Sequence, residues 1–255
     1  MTIREHLLLT LVLGVGQKDG KFNGFFCDVQ SRRYDRVFDF LPSGYPKKNL
    51  YALLLQLERK KLISRGTMGG ESVVRITPKG INYVVWRFGH AGLTGKPWDG
   101  KWRIALYDIP EKDRYKREKC RKILDRFGFT SLHPSVYLSP HAVEDRVRAD
   151  LAQEGLLTSV FLMLGDQSDL GDCRVLADRL WHLTTLAQSY QSLIRRFQIV
   201  IGQQLPEKKQ LGLVRVRSDF IRLVASDPLL PVALLPQDWP VARVFNMISD
   251  VKNIE

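Results

Sequence analysis

A leucine repeat in residues 46–61, followed at once by a glycine-centred hairpin pattern, restricts the fold of this chain more than any other feature. The repeat has leucines at positions i, i+3, i+4 and i+7, which is the spacing of one buried helix face. These leucines are Leu50, Leu53, Leu54 and Leu57. Pro46 suits the first position of a helix, so we predict a helix over 46–61. The stretch LISRGTMGGESVVRIT then predicts two strands, 62–65 and 72–77, around a turn at 66–70.

The residues before this repeat predict two further helices. Residues 3–13 are mainly apolar and end at a pair of glycines, so we expect one buried helix there. After a glycine- and aromatic-rich connection at 20–27, residues 28–41 show helical spacing up to a proline. The order helix, helix, turn, helix, hairpin is that of a winged helix-turn-helix domain, which we assign to residues 1–92.

The middle of the chain has a pattern of alternating strands and helices. A linker with glycines and a proline precedes an alternating apolar run, WRIALYDI, at 102–109. The predicted order is strand, helix, strand, strand, helix, strand, over 102–108, 112–127, 129–133, 135–139, 141–154 and 158–164. This is the β-α-β-β-α-β pattern of a ferredoxin-like domain, which we place at 98–166. Its sheet has an open face, so we expect a homodimer in which two sheets pair across a two-fold axis.

The last third of the chain has a helical pattern. Leucine and aromatic positions that begin at Leu176 keep a 3.6-residue rhythm, and another helix is predicted over 209–225. A proline-punctuated loop at 227–240 leads into a last helix at 238–250. We therefore expect an all-helical C-terminal domain at 172–255 and an α+β fold class for the whole chain.

The chain is strongly basic, and most of the excess charge lies in its first third. It has 39 Lys and Arg against 27 Asp and Glu, with a net charge of +12 and a pI near 9.7. Residues 1–95 contain fifteen of the basic and seven of the acidic residues. Excess positive charge attracts polyanions, so we expect this part of the chain to bind double-stranded DNA.

The sequence predicts no cofactor, no metal site, no membrane segment and no enzymatic activity. Three cysteines without a CxxC pair favour neither a disulfide framework nor a zinc cluster, and they fit a reducing cytoplasm. The apolar run at 7–15 is too short to span a bilayer. Nucleotide-binding and hydrolase motifs are missing from the sequence, so we expect a protein that is not an enzyme. From the cysteines and the short apolar run we expect it to be cytoplasmic.

The exposed side of the 46–61 helix is where we expect DNA contacts. Lys and Arg suit guanine and phosphate, and Asn suits adenine, when the start of a recognition helix lies in the major groove. Two arginines are expected to flank the hairpin tip and contact phosphates or a minor groove. The candidates are Lys47, Lys48, Asn49, Tyr51, Ala52, Arg59, Arg65 and Arg75. An ordinary solvated helix surface has the same charge pattern and is the alternative.

Three stretches of the chain resemble the PaaX family of bacterial transcriptional repressors, and the resemblance covers nearly the full length. They are WRIALYDIPEKDRYKREKCRKILDRFGFTSLHPSVYLSP at 102–140, WHLTTLAQSY at 181–190 and DPLLPVALLPQDWP at 227–240, of which the last is the most specific. The resemblance implies a winged helix, a ferredoxin-like dimerisation domain and a helical C-terminal domain. It also implies a repressor that is released by an acyl-CoA effector, namely an aryl-CoA thioester such as phenylacetyl-CoA.

The C-terminal region has aromatic and cationic residues that suit such an effector. An aryl group packs well on aromatic rings, and cations bind the phosphates of CoA. The effector-binding candidates are Trp181, His182, Tyr190 and Arg195. A helical core with a basic rim explains the same pattern and stays open as the alternative.

The central region is also similar to the small CRISPR-associated nuclease subunit of ferredoxin-like fold. The sequence Tyr107-Asp108-Ile109 after the first strand and the sequence PSVY at 134–137 carry this similarity. It implies that Asp108 from two subunits holds a cation such as Mg²⁺, which would make the protein a metal-dependent nuclease or an integration subunit. The alternative, which we favour, is that Asp108 caps the end of the strand before a proline.

Overall fold

We describe the protein from a computed structural model. The structure describes residues 1–18, 21–27, 31–33, 37, 41–42, 45–87 and 97–250, and for 13–18, 21–27, 31–33, 47, 85–86 and 248–250 it describes the backbone alone. Within these ranges the chain combines α-helices with antiparallel sheets of two, three and four strands. The predicted mixture of helices and sheets is therefore confirmed.

The N-terminal part begins with helix α1 (Ile3–Val12), whose side chains are buried from Glu5 to Val12. A hairpin of β1 (Leu13–Lys18) and β2 (Lys21–Cys27) follows. The segment predicted as a connection at 20–27 is therefore a strand over Lys21–Cys27. Aromatic residues favour a strand once a neighbouring strand lies alongside, and β1 is that neighbour.

Strand β3 (Ser31–Arg33) lies inside the segment for which the sequence predicts a helix, 28–41. The helix prediction is wrong at Ser31–Arg33, and most of the remaining segment lies outside the described residues. Strand β3 pairs antiparallel with β5 (Glu71–Ile76). The edge of β5 offers backbone hydrogen-bonding groups that need partners, and this long-range pairing overrides the local helical spacing.

Helix α2 (Lys47–Arg59) forms where the leucine repeat predicts a helix, and three of its four core leucines are buried. The residue after its C-cap, Lys61, has a left-handed backbone with a φ of 57°. The N–H of Leu62 donates to the carbonyl oxygen of Leu57 at 3.0 Å, and that of Lys61 donates to the carbonyl oxygen of Glu58 at 2.8 Å. This Schellman arrangement turns the chain from α2 directly into the next strand.

The predicted hairpin is present as β4 (Ile63–Met68) and β5. Its turn is shorter than predicted, because Thr67 and Met68 pair with β5 and only Gly69 and Gly70 lie outside the ladder. These glycines have φ values of 61° and 82°. A two-residue type I′ turn requires positive φ at both central positions, which explains the Gly-Gly pair.

Helix α3 (Pro78–Arg87) packs its first turn against the start of the hairpin. Thr77 connects the two elements, because its N–H donates to the carbonyl oxygen of Leu62 (3.1 Å) and its hydroxyl donates to that of Lys61 (2.7 Å). The same hydroxyl accepts from the N–H of Gly80 at 3.0 Å. Gly80 is buried at this junction, and an added Cβ would lie 2.1 Å from the carbonyl oxygen of Leu62. The close backbone approach therefore requires glycine.

The middle of the chain forms a four-stranded sheet with two helices on one face. The elements are β6 (Lys101–Tyr107), α4 (Arg114–Arg126), β7 (Thr130–His133), β8 (Val136–Ser139), α5 (Glu144–Gln153) and β9 (Val160–Asp166). The strand order is β7-β8-β6-β9, and every neighbouring pair is antiparallel. These elements follow the order that the sequence predicts between 102 and 164, which is a split β-α-β arrangement. The core under the two helices includes Ala105, Tyr107, Leu124, Val147 and Leu151.

The C-terminal part is helical, with α6 (Cys173–Trp181), α7 (Leu183–Ile201), α8 (Pro206–Ser226) and α9 (Val241–Asp250). A proline-punctuated loop joins the last two helices. At its start the buried Asp227 carboxylate accepts from the hydroxyl of Tyr190 and from the N–H of Leu229, both at 2.8 Å. Leu229 has a φ of 51°, an unfavourable backbone conformation that the second hydrogen bond stabilises. None of the described helices is long and apolar enough to cross a membrane.

One apolar core connects the three parts of the chain. Helix α1 packs against α3 and α8, so the N-terminal part contacts the C-terminal helices directly. The sheet joins the same core through Trp102, which is fully buried. Its ring centroid lies 5.3 Å from that of Trp98 and 6.2 Å from that of Trp181. The three predicted domains therefore share buried contacts, and their boundaries stay a prediction.

Candidate nucleic-acid interface

The exposed face of α2 carries most of the predicted DNA-binding residues. Lys48, Asn49, Ala52 and Arg59 are all exposed, on the side of the helix opposite the buried leucines. Lys48, Ala52 and Arg59 are four and seven residues apart, which places them along one line of the helix surface. Lys47 begins the helix, and its side chain lies outside the described ones. The face is a positively charged convex surface that fits the size of a DNA major groove.

Arg65 reaches this face from β4. Its Nε and Nη2 both donate to Oε2 of Glu58, at 2.9 and 2.5 Å. Its guanidinium carbon lies 5.5 Å from the ring centroid of Tyr51, which is a cation–π distance. The hydrogen bonds from Arg65 hold the pKa of Glu58 below its usual range, so the pair stays charged at neutral pH. The side chains are 29 % and 35 % exposed, so solvent screening leaves the pair a small contribution to the stability of the fold.

The two hairpin arginines do not lie where the sequence suggests. Arg75 is exposed on β5, opposite Ser64, and Arg65 is opposite Val74. Both positions are near the base of the hairpin, because the turn is at 69–70. Neighbouring ladder positions point to opposite faces of a sheet, so Arg65 and Arg75 project from different faces of the hairpin. They therefore do not form one phosphate-binding pair at the tip.

Glu58 is a member of this face that the sequence analysis missed. It lies seven residues after Tyr51, so the helical repeat alone places the two side chains on the same side of α2. The contact between Glu58 and Arg65 is harder to predict from the sequence. Arg65 meets Glu58 only because the Schellman bend after α2 folds β4 back along the helix.

Basic residues on α4 are more fully neutralised than those on α2. Five of its lysine and arginine side chains form ion pairs with acidic neighbours. These pairs are Lys116 with Asp113, Arg117 with Glu111, Lys119 with Glu154, Lys122 with Glu118, and Arg126 with Asp150. The cationic surface of α2 is therefore the better candidate for binding a polyanion.

Asp108 is exposed directly after β6, and its N–H donates to the carbonyl oxygen of Ser159 at 2.9 Å. A hard divalent cation prefers several oxygen ligands. Among the described residues, no group of three or more His, Cys, Asp or Glu side chains is placed to hold a metal ion. Within one chain, Asp108 is thus a single exposed carboxylate at a strand end.

The four effector candidates are in different environments. Trp181 packs in the core beside the sheet, and Tyr190 is fully buried. His182 is the left-handed residue between α6 and α7, with a φ of 52°, and Arg195 is exposed on α7. There is a pocket of about 360 Å³ between α7 and α8, and none of these four residues lines it. The cations in its lining are Arg196, Lys208 and Arg215.

Comparison with known proteins identifies the relatives of this chain. The family model described as the PaaX protein central Cas2-like domain matches residues 95–177, and that of the PaaX-like protein C-terminal domain matches residues 181–254. Together the two models cover more than half of the chain, which belongs to the PaaX family.

Two individual proteins extend this result. The transcriptional repressor PaaX from Escherichia coli (strain K12) is 25 % identical over 210 residues, which are 77 % of this chain. The matched region spans 65 % of the length of that repressor. A solved structure, uncharacterized protein Rv0674 from Mycobacterium tuberculosis, is similar with a TM-score of 0.53 and 21 % identity, over 85 % of this chain and 83 % of that one. The second similarity supports the fold.

Proposed function

We propose that the protein is a sequence-specific transcriptional repressor that binds a double-stranded DNA operator as a homodimer. The observation that carries this proposal is the exposed cationic face of α2 beside the β4–β5 hairpin. This face lies in the part of the chain with most of the excess positive charge. The relative from Escherichia coli is a transcriptional repressor, which supports the same class of function.

In this proposal α2 is the recognition helix of a winged helix-turn-helix domain over 1–92, and the β4–β5 hairpin is the wing. Lys48 and Asn49, near the start of α2, contact base edges in the major groove. Arg59 and Arg75 contact phosphates, which fix the position of the protein on the duplex. Binding is therefore sensitive to salt, because each neutralised phosphate releases counterions.

The proposed dimer forms through the central sheet, over 98–166. Phe161 and Met163 are about half exposed on the edge strand β9. Leu162, between them, packs with the core under α4 and α5, so Phe161 and Met163 project from the opposite face of the sheet. A second copy that covers the exposed part of this face, around Phe161 and Met163, places two recognition helices on a pseudo-palindromic operator.

The proposed effector domain is the helical part, over 172–255, and the proposed effector is an acyl-CoA thioester. The match to the PaaX-like C-terminal domain supports this assignment. The pocket between α7 and α8 has cations for phosphate groups and exposed apolar side chains for an acyl chain. The repressor acts in the cytoplasm and needs no metal ion, so Asp108 has no catalytic role in it.

The proposal is tested by replacing Lys48 and Asn49 with alanine. An operator is first obtained by selection from randomised duplexes with the wild-type protein. Each lost base contact is worth about 1 to 3 kcal/mol, so the double variant should bind the operator at least roughly 30-fold more weakly. Fluorescence anisotropy at several salt concentrations measures the change. Arg179→Ala, which removes an exposed charge from α6, is the matched control. A wild-type protein that prefers no sequence over random DNA at physiological salt would contradict the proposal.

The dimer is tested by Phe161→Glu. Two carboxylates brought into the apolar sheet face of a two-fold dimer lose hydration without gaining partners, so we expect a monomer. Light scattering after size-exclusion chromatography measures the mass. Val175→Glu places the same charge at an exposed apolar position on α6 and should leave the dimer intact. A Phe161→Glu protein that stays dimeric would place the dimer interface elsewhere.

A further inference from the structure

Three side chains of the α2 surface form one connected unit. Arg65 lies between Glu58 and Tyr51, hydrogen-bonded to the first and 5.5 Å from the ring centroid of the second. Tyr51 is 54 % exposed and lies in the N-terminal half of α2, close to Lys48. The unit links the hairpin to the helix, because Arg65 belongs to β4 and both its partners belong to α2.

The charges of this unit decide what Arg65 does at a DNA surface. A lone glutamate on α2 would repel phosphates, and the Arg65 guanidinium cancels that charge at 2.5 Å. Two of the guanidinium N–H donors are already used on Oε2 of Glu58. Arg65 therefore contributes little net attraction for the DNA backbone, in contrast to Arg59 or Arg75.

The geometry of the unit decides what Arg65 does to Tyr51. Two hydrogen bonds from Nε and Nη2 to the same carboxylate oxygen restrict the orientation of the Arg65 guanidinium. The guanidinium carbon lies over the Tyr51 ring, 5.5 Å from its centroid, and a cation held at this place restricts the positions that the ring can take on α2. A side chain with one orientation discriminates between base pairs better than a mobile one, because less entropy is lost on contact.

We propose that Glu58 and Arg65 are positioning residues that fix Tyr51 as a base-reading side chain of the repressor, with duplex DNA as its partner. This inference rests on the proposed function. It assigns sequence discrimination to Tyr51, and it gives Arg65 the task of orienting Tyr51 instead of the task of binding phosphate. The pair also sets the angle between α2 and the hairpin, so both approach the duplex as one rigid surface.

Two conservative variants separate orientation from charge. Arg65→Lys keeps the positive charge but loses the planar fork, so we expect an unchanged salt dependence and about tenfold less discrimination between operator and random DNA. Glu58→Gln keeps the shape and frees the Arg65 charge for a phosphate. It should steepen the slope of log affinity against log salt by about 0.9 and raise affinity for random DNA about threefold at low salt. Discrimination should fall in this variant too.

A double-mutant cycle with Tyr51→Ala completes the experiment, in full-length protein with anisotropy on operator and random duplexes. If Arg65 acts through the tyrosine, Arg65→Lys lowers discrimination in wild type and has no further effect in the Tyr51→Ala background. An Arg65→Lys protein with wild-type discrimination, or equal losses in both backgrounds, would overturn the inference. The proposed function fails separately, if wild-type protein shows no preference for any sequence. The three side chains are partly exposed, so circular dichroism is expected to show the same fold in every variant.

Discussion

Gly80→Ala should lower the free energy of unfolding by about 3 to 5 kcal/mol, although alanine is the better helix former. In an open helix the same change would stabilise by roughly 1 kcal/mol. Here the new Cβ would lie 2.1 Å from the carbonyl oxygen of Leu62 and 2.7 Å from Cγ1 of Ile76. The oxygen belongs to the backbone, so α3 must move away from the hairpin. That movement breaks the hydrogen bonds that Thr77 donates to the carbonyl oxygens of Lys61 and Leu62.

Gly66→Ala is the matched control for this prediction, because Gly66 lies in β4 of the same hairpin. An added Cβ there meets nothing within 4 Å, and its φ is not in the left-handed region. We expect a change within about 0.5 kcal/mol. Urea denaturation followed by tryptophan fluorescence gives both values. A Gly80→Ala protein as stable as wild type would mean that α3 does not pack this closely against the hairpin.

Asp227→Asn should make the protein about 2 to 3 kcal/mol more stable at pH 7 and remove a pH dependence of stability. Burial raises the pKa of Asp227 to about 6, whereas an aspartate in an unfolded chain has a pKa of about 3.9. The folded protein therefore binds this proton more tightly than the unfolded chain does. The stabilisation is complete below about pH 4 and is lost as the pH rises toward 6.

Asparagine suits this site because its amide oxygen can accept from the N–H of Leu229 while its NH₂ donates to the oxygen of Tyr190. Thermal denaturation of wild type and variant between pH 4 and pH 8 measures the effect. The two curves should meet near pH 4 and separate above it. Asp238→Asn, at an exposed position of the same loop, should leave the wild-type profile unchanged. Parallel profiles for wild type and Asp227→Asn would show that Asp227 does not titrate in this range.

The elements predicted correctly are those whose signal is local. The leucine repeat of α2, the glycine-centred hairpin of β4 and β5, and the alternation of apolar residues in β6 are each determined by a few neighbouring residues. Strands β2 and β3 escaped prediction because a strand is stabilised by its partner. The partner of β3 lies about 40 residues further along the chain, and no local pattern indicates it.

The candidate site shows the same limit at the level of side chains. The helical repeat was enough to predict that Lys48 and Asn49 are exposed, because the buried leucines define the opposite face of the helix. It was not enough for Arg65, whose direction depends on the bend after α2. The sequence makes Tyr190 an effector-binding candidate because an aromatic ring suits an aryl group. Its hydroxyl instead meets Asp227, which is 37 residues away in the chain.

The three packed tryptophans have a mechanical consequence for how a signal would cross the molecule. Trp181 ends α6, Trp102 lies in β6, and Trp98 comes from the segment that leads back toward the N-terminal part. Close-packed aromatic rings have low compressibility, so they transmit a displacement from one element to the next. If binding at the C-terminal helices tilts α6, the sheet and the segment ahead of it must travel with that helix. In the proposed dimer, the distance between the two α2 helices would then change.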